Sequence, residues 1–322
     1  MQKQVKVIRR GDKVDELFNS GGELEVKGDF AEVTNLRLAG GRGLSLVSEQ
    51  FPPAPFHVNL RGYKRLPALG KGKIYLQGSK LVLAGQEIID LQRGVIWPGG
   101  VKNHFETGVN RRILKGRLGL MVDLAMKLFR DENRLLELSA QNFKLWLCEE
   151  KTIFAGGREL MPEFSGRKTE REPGFEFELR YILEHLADFF AGEGQEVGVI
   201  ELLPLVGAGK GLTPAGDDLL VGFLSALYFA DSQLLQSLPA FLLSDFEDRT
   251  TFVSSLALRA ALQGSFSWHI INLYRNLKDG TGEDLLSALE KLNSVGSTSG
   301  LDMLAGIFFG LYLVVSGEDR FN

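Results

Sequence analysis

Two stretches of this chain match each other without a gap, and that match limits the fold more than anything else in the sequence. Thr213 to Leu227 reads TPAGDDLLVGFLSAL, and Ser297 to Leu311 reads STSGLDMLAGIFFGL. Gly216 pairs with Gly300, Asp218 with Asp302, Leu220 with Leu304, Gly222 with Gly306, Ala226 with Gly310 and Leu227 with Leu311. Each copy opens on a hydroxyl residue, carries an aspartate two positions after a glycine, and then repeats small residues one helical turn apart. Such a small face lets two helix backbones approach closely. The pattern predicts an internal pseudo-repeat of two helices that pack together and aim their starts at one site.

The first copy follows a glycine-rich loop, GAGKG, at 207–211. Gly209 and Gly211 permit close backbone approach, and Lys210 adds a full positive charge. Thr213 followed by Pro214 predicts a capped helix start, with proline at the first helical position. The N–H groups of residues 215–217 and 299–301 would then face a small anion. Candidate substrate-binding residues are Gly209, Lys210, Gly211, Thr213, Ala215 and Gly216 from the first copy. Ser297, Thr298, Ser299 and Gly300 are the candidates from the second. Asp217, Asp218 and Asp302 are the candidate catalytic groups. Carboxylates beside an anion repel it, so a divalent cation such as magnesium, or a proton-accepting role for one aspartate, would reconcile them. No metal ligand set is identified. The loop is not a nucleotide-binding Walker A loop, because Gly211 follows Lys210 where Ser or Thr is required. A plainer account stands beside this one: Asp217 and Asp218 satisfy the helix dipole, and Ser299 with Asp302 forms a capping box. A third polar cluster, Asp248 to Ser255, adds Arg249, Thr251 and Ser254 as candidates for the site, or else as caps of a further helix.

The rest of the chain sets the surroundings. Up to about residue 110, short segments rich in Val, Leu and Ile lie between Gly, Pro, Asn and Asp punctuation, with Gly78-Ser79 placed as a hairpin turn. Residues 111–172 read as a connecting helix, with Arg111, Arg112, Lys115 and Arg117 on its solvated face, followed by a linker. Residues 173–322 read as a helical domain, with helices near 214–230, 232–243, 250–263, 266–277, 282–293 and 299–315 and a strand in EVGVIELLPLV. The fold class is therefore α+β: a β-rich N-terminal domain, then a mainly α-helical one. A net charge of -4 gives no case for nucleic acid or an anionic membrane. One cysteine, Cys148, excludes an intrachain disulfide and fits a reducing compartment. The start lacks a signal peptide's apolar core, so the expected location is cytoplasmic. The four histidines, His57, His104, His185 and His269, have no metal-ligand spacing, and His104 is the one best placed to visit a site.

Three ordered motifs, GAGKGLTPAGDDLLVGFL, TTFVSSLALRAALQG and VGSTSGLDMLAGIFFG, resemble a family that includes the AllH-type subunit of oxamate carbamoyltransferase. The resemblance spans roughly 197–315. It implies carbamoyl transfer between oxamate and carbamoyl phosphate, in anaerobic allantoin breakdown and purine catabolism, with partner subunits. The family pattern implies Gly-His-Thr-Ser-Gly in the last motif, whereas position 297 here is Ser. A local second resemblance links TPAGDDLLVGFLSAL to the Gly-Ala-Gly-Asp motif of ribokinase-type sugar kinases. It implies Asp217 as a base in an ATP-dependent small-molecule kinase. A third reading is a non-catalytic, ligand-binding subunit of a larger complex, or a homo-oligomer.

Overall fold

A computed structural model describes residues 5–63, 73–83, 86–103, 111–129, 202–230, 235 and 246–318. Cys148, His104, His185 and, apart from residue 235, the expected helix at 232–243 lie outside the described residues. The chain divides into two compact units. Met1–Glu106 with Thr251–Asn272 makes the first, and Thr107–Thr250 with Leu273–Asn322 the second.

The first unit holds one nine-stranded sheet. Its strands are β1 (Lys6–Gly11), β2 (Gly22–Asp29), β3 (Val33–Leu38), β4 (Gly43–Ser48), β5 (His57–Arg61), β6 (Ile74–Gln77), β7 (Lys80–Leu83), β8 (Gln86–Asp90) and β9 (Val95–Trp97). Their order is β8-β7-β6-β2-β3-β4-β5-β1-β9. Pairing is antiparallel except between β4 and β5 and between β1 and β9. The expected hairpin is present: Gln77 pairs with Lys80 across Gly78-Ser79, and Gly78 has φ +57. β1 is a strand without a clear sequence signal, because its basic residues give it the look of a polar tail. Its Arg10 is buried and donates to Asp15, Gln92 O and Gly94 O.

Leu36, Leu44, Leu46, Val58, Leu60, Ile74, Leu76, Leu81 and Ile89 form the core of this unit. Every residue of β4 is buried, as expected of a strand covered on both faces. Helix Phe252–Leu262 provides cover within this unit, with Phe252, Leu256 and Ala260 against Phe56. Ser265 Oγ and Gly99 N–H both donate to Asp12, which fixes the chain beyond that helix to the start of the sheet unit.

The described helices are α1 (Arg111–Phe129), α2 (Ala215–Phe229), α3 (Phe252–Leu262), α4 (Trp268–Asp279), α5 (Gly282–Asn293) and α6 (Ser299–Glu318). Their positions agree with the helical periodicity read from sequence. The expected strand in EVGVIELLPLV is corrected at its end, where Leu203–Leu205 forms a 3-10 turn. Proline at 204 has no N–H for a sheet ladder and suits a helical first turn. Arg117 is also corrected: it is not a solvated side chain. It is half-buried and donates to the carbonyls of Asn276, Leu277 and Gly280, which closes the C-terminus of α4. Within the second unit, Tyr274 of α4 stacks on Phe229 at 4.3 Å and bonds Ser225 Oγ at 2.9 Å. Among the described residues, no helix is long and apolar enough to cross a membrane.

Candidate functional site

The matched segments become α2 and α6, and they lie against each other as related partners. A Cβ added at Gly222 would collide with Met303 O, and one added at Gly306 would collide with Leu219 O, both far inside 3.0 Å. Gly222 and Gly306 occupy equivalent places in the repeat, as do Leu219 and Met303, so the residue that one glycine meets is the counterpart of the residue that the other meets. Reciprocity of this kind marks a two-fold relationship. Further along, Gly310 meets Ala226 and Phe223, and Phe223 stacks on Phe309 at 5.5 Å. Contacts advance in the same direction on both helices, so the pair is parallel and the two starts lie side by side.

The repeat reaches further back than the gapless match showed. Ala208 N–H donates to Leu205 O and Gly216 N–H to Ala208 O. In the second copy, Val295 N–H donates to Leu292 O and Gly300 N–H to Val295 O. Gly209 and Gly296 both take positive φ, +114 and +61. Gly216 sits against Leu205 O as Gly300 sits against Leu292 O, with no room for a Cβ in either place. The first loop is therefore the second with Lys210, Gly211 and Leu212 inserted. All three inserted residues are exposed.

These contacts redraw the helix starts. Pro214 itself is the N-cap of α2, and no side chain bonds there, which corrects the expected Thr213 cap. Pro214 O takes the N–H groups of Asp217 and Asp218, and Thr298 O takes those of Leu301 and Asp302. With Gly216 and Gly300 also engaged, the first-turn N–H groups of Ala215 and Ser299 are the ones without a backbone acceptor among the described residues.

Freed from capping, the Thr213 hydroxyl meets Ser299 Oγ at 2.7 Å. Both hydroxyls hydrogen-bond to Asp218. Asp218 and Asp302 are 3% and 2% exposed. Asp218 Oδ2 accepts no hydrogen bond among the described residues. Burial pushes the Asp218 carboxyl up to about 8, and the charges of Asp302 and Asp217 push the same way, against the two hydroxyl bonds. The cluster thus brings together Thr213, Asp218, Ser299 and Asp302.

Asp217 is placed differently. It is 1% exposed and accepts from Gly207 N–H at 2.8 Å and from the Thr250 hydroxyl. It ties the glycine loop to the segment before α3. Thr250 was read only as part of the third polar cluster, and its contact with Asp217 had no sequence signal. Arg249 is exposed, and its carbonyl lies where a Cβ on Gly207 would go. Thr251 caps α3 by accepting from Ser254 N–H at 3.2 Å, and both residues belong to the first unit. Ser297 and Thr298 are exposed at the start of α6. Among the described residues, no group of three or more His, Cys, Asp or Glu side chains is arranged to hold a metal. His57 and His269 are in the first unit, where burial lowers each to about 4.

A family model described as oxamate carbamoyltransferase subunit AllH matches residues 205–311. That segment carries all three sequence motifs and both helix starts, and the match bears out the resemblance over it. No solved structure matches the chain.

Proposed function

We propose that this chain is a subunit of a cytoplasmic carbamoyl-transferring enzyme, and that the paired starts of α2 and α6 hold its small anionic substrate, oxamate or carbamoyl phosphate. One observation carries the reading. Two related helices run parallel from a shared polar cluster, in which Thr213 and Ser299 bond each other and Asp218. Parallel helices add their positive N-terminal ends, and negative charge is most stable there. The family match supports the chemistry and the need for partner subunits.

In carbamoyl transfer, negative charge sits on the substrate carboxylate, on the carbonyl oxygen and on the departing phosphate. Donors fixed in advance at such oxygens lower the barrier. The N–H groups of Ala215 and Ser299 are the donors that face the site, the Thr213 and Ser299 hydroxyls hold Asp218 in place beside them, and Lys210 on the exposed insertion adds positive charge. Asp217, which accepts from Gly207 N–H and the Thr250 hydroxyl, serves in this reading by holding the loop. Calorimetric titration of the full chain with oxamate, and separately with carbamoyl phosphate, tests the proposal. Saturable binding that is lost in Thr213→Val and Ser299→Ala supports it. Binding unchanged in both variants counts against it.

A further inference from the structure

Two buried carboxylates, one on each of the paired helices, raise a charge problem for the proposed anion site. Asp218 lies on α2 and Asp302 on α6, both almost fully enclosed. The ionisable groups that act on Asp218 are Asp302 from the facing helix and Asp217 from its own, and both are acids. Its remaining neighbours in the cluster, Thr213 and Ser299, are neutral. Two charges of one sign at such depth are costly, and buried groups of this kind give up a charge instead. Asp218 Oδ2 is a buried carboxyl oxygen that accepts nothing among the described residues. That is the atom on which a proton would sit.

We infer that Asp218 and Asp302 hold one proton between them at neutral pH, so that the cluster presents a neutral carboxyl O–H donor to the bound anion. The inference rests on the proposed anion site and explains how acids can line it. Asp218 becomes a hydrogen-bond donor to substrate, not a base or a metal ligand. The upward displacement of its carboxyl agrees with this, with burial the largest cause. The site then favours a carboxylate or phosphate oxygen, which accepts that bond, over a neutral amine.

The test is a carboxyl titration of the full chain labelled with carbon-13 aspartate, followed by infrared or magnetic resonance. One carboxyl should titrate above pH 6, vanish in Asp218→Asn and move to lower pH in Asp302→Asn. If every aspartate has ionised by pH 6, or if Asp302→Asn leaves the transition in place, the shared proton is overturned. Loss of the transition on adding magnesium chloride alone would also overturn it, in favour of a bound cation. Oxamate then separates the two claims. Its affinity should fall about tenfold per pH unit above the transition in wild type and stay level in Asp218→Asn, whose amide still donates. A transition without oxamate binding at any pH sustains the shared proton and rejects the anion site.

Discussion

Gly222 and Gly306 stand at equivalent positions of a repeated segment, and each is pressed against the backbone of the other copy's helix. The consequence is symmetric. Gly222→Ala and Gly306→Ala should each destabilise the fold, by about 1–3 kcal/mol or more, because rigid backbone carbonyls cannot yield to a new methyl. Thermal or denaturant unfolding of the two variants should give similar losses. Easy tolerance of alanine at one position alone would break the two-fold relationship.

Stability should also depend on pH through Asp218. Its folded value is raised to about 8 from an ordinary 3.8. Between those limits the native state keeps a proton that the unfolded chain has released. The contribution is fully present below about pH 4, falls as pH rises towards about 8, and stays lost above that. Each pH unit in the window is worth at most about 1.4 kcal/mol, so the full effect is on the order of a few kcal/mol. Asp218→Asn should remove this slope and be more stable than wild type at pH 8. Denaturant midpoints measured from pH 5 to 9 in both proteins check it.

Arg117 gives a prediction away from the site. Its fork closes three carbonyls at the end of α4. Arg117→Ala should cost about 1–3 kcal/mol, and Arg117→Lys should recover only part, since an ammonium cannot span the same carbonyls. Unfolding of the two variants side by side measures the difference.

Much of this was legible in the sequence, and the reasons differ by residue. Gly222, Gly306 and Gly310 announced the helix pair because small residues at a helical spacing serve close packing. Asp218 and Asp302 stood out through the repeat. Gly216 and Gly300 suggested an open anion cradle, yet they are glycines because a preceding carbonyl lies against each of them. Thr213 read as a cap, but its hydroxyl is spent across the helix pair on Ser299, a contact eighty-six positions away in the chain. The Asp217–Thr250 bond and the Arg117 cap were hidden for the same reason, since long-range partners leave no local pattern.

The inserted Lys210, Gly211 and Leu212 should matter to binding more than to folding. Deleting them makes the first loop the same length as the second, from Gly209 to Thr213 as from Gly296 to Ser297. The deletion variant should unfold within about 1 kcal/mol of wild type, as surface insertions usually permit. It should bind oxamate at least tenfold more weakly, having lost Lys210. Unchanged affinity would remove the insertion from the site.

The most direct measurement is calorimetric titration of oxamate into the full chain, beside a variant carrying Asp218→Ala and Asp302→Ala and shown by circular dichroism to keep its helices. Saturable binding by wild type and none by the variant is the predicted result. Equal binding by both proteins would contradict a substrate site at the paired starts of α2 and α6.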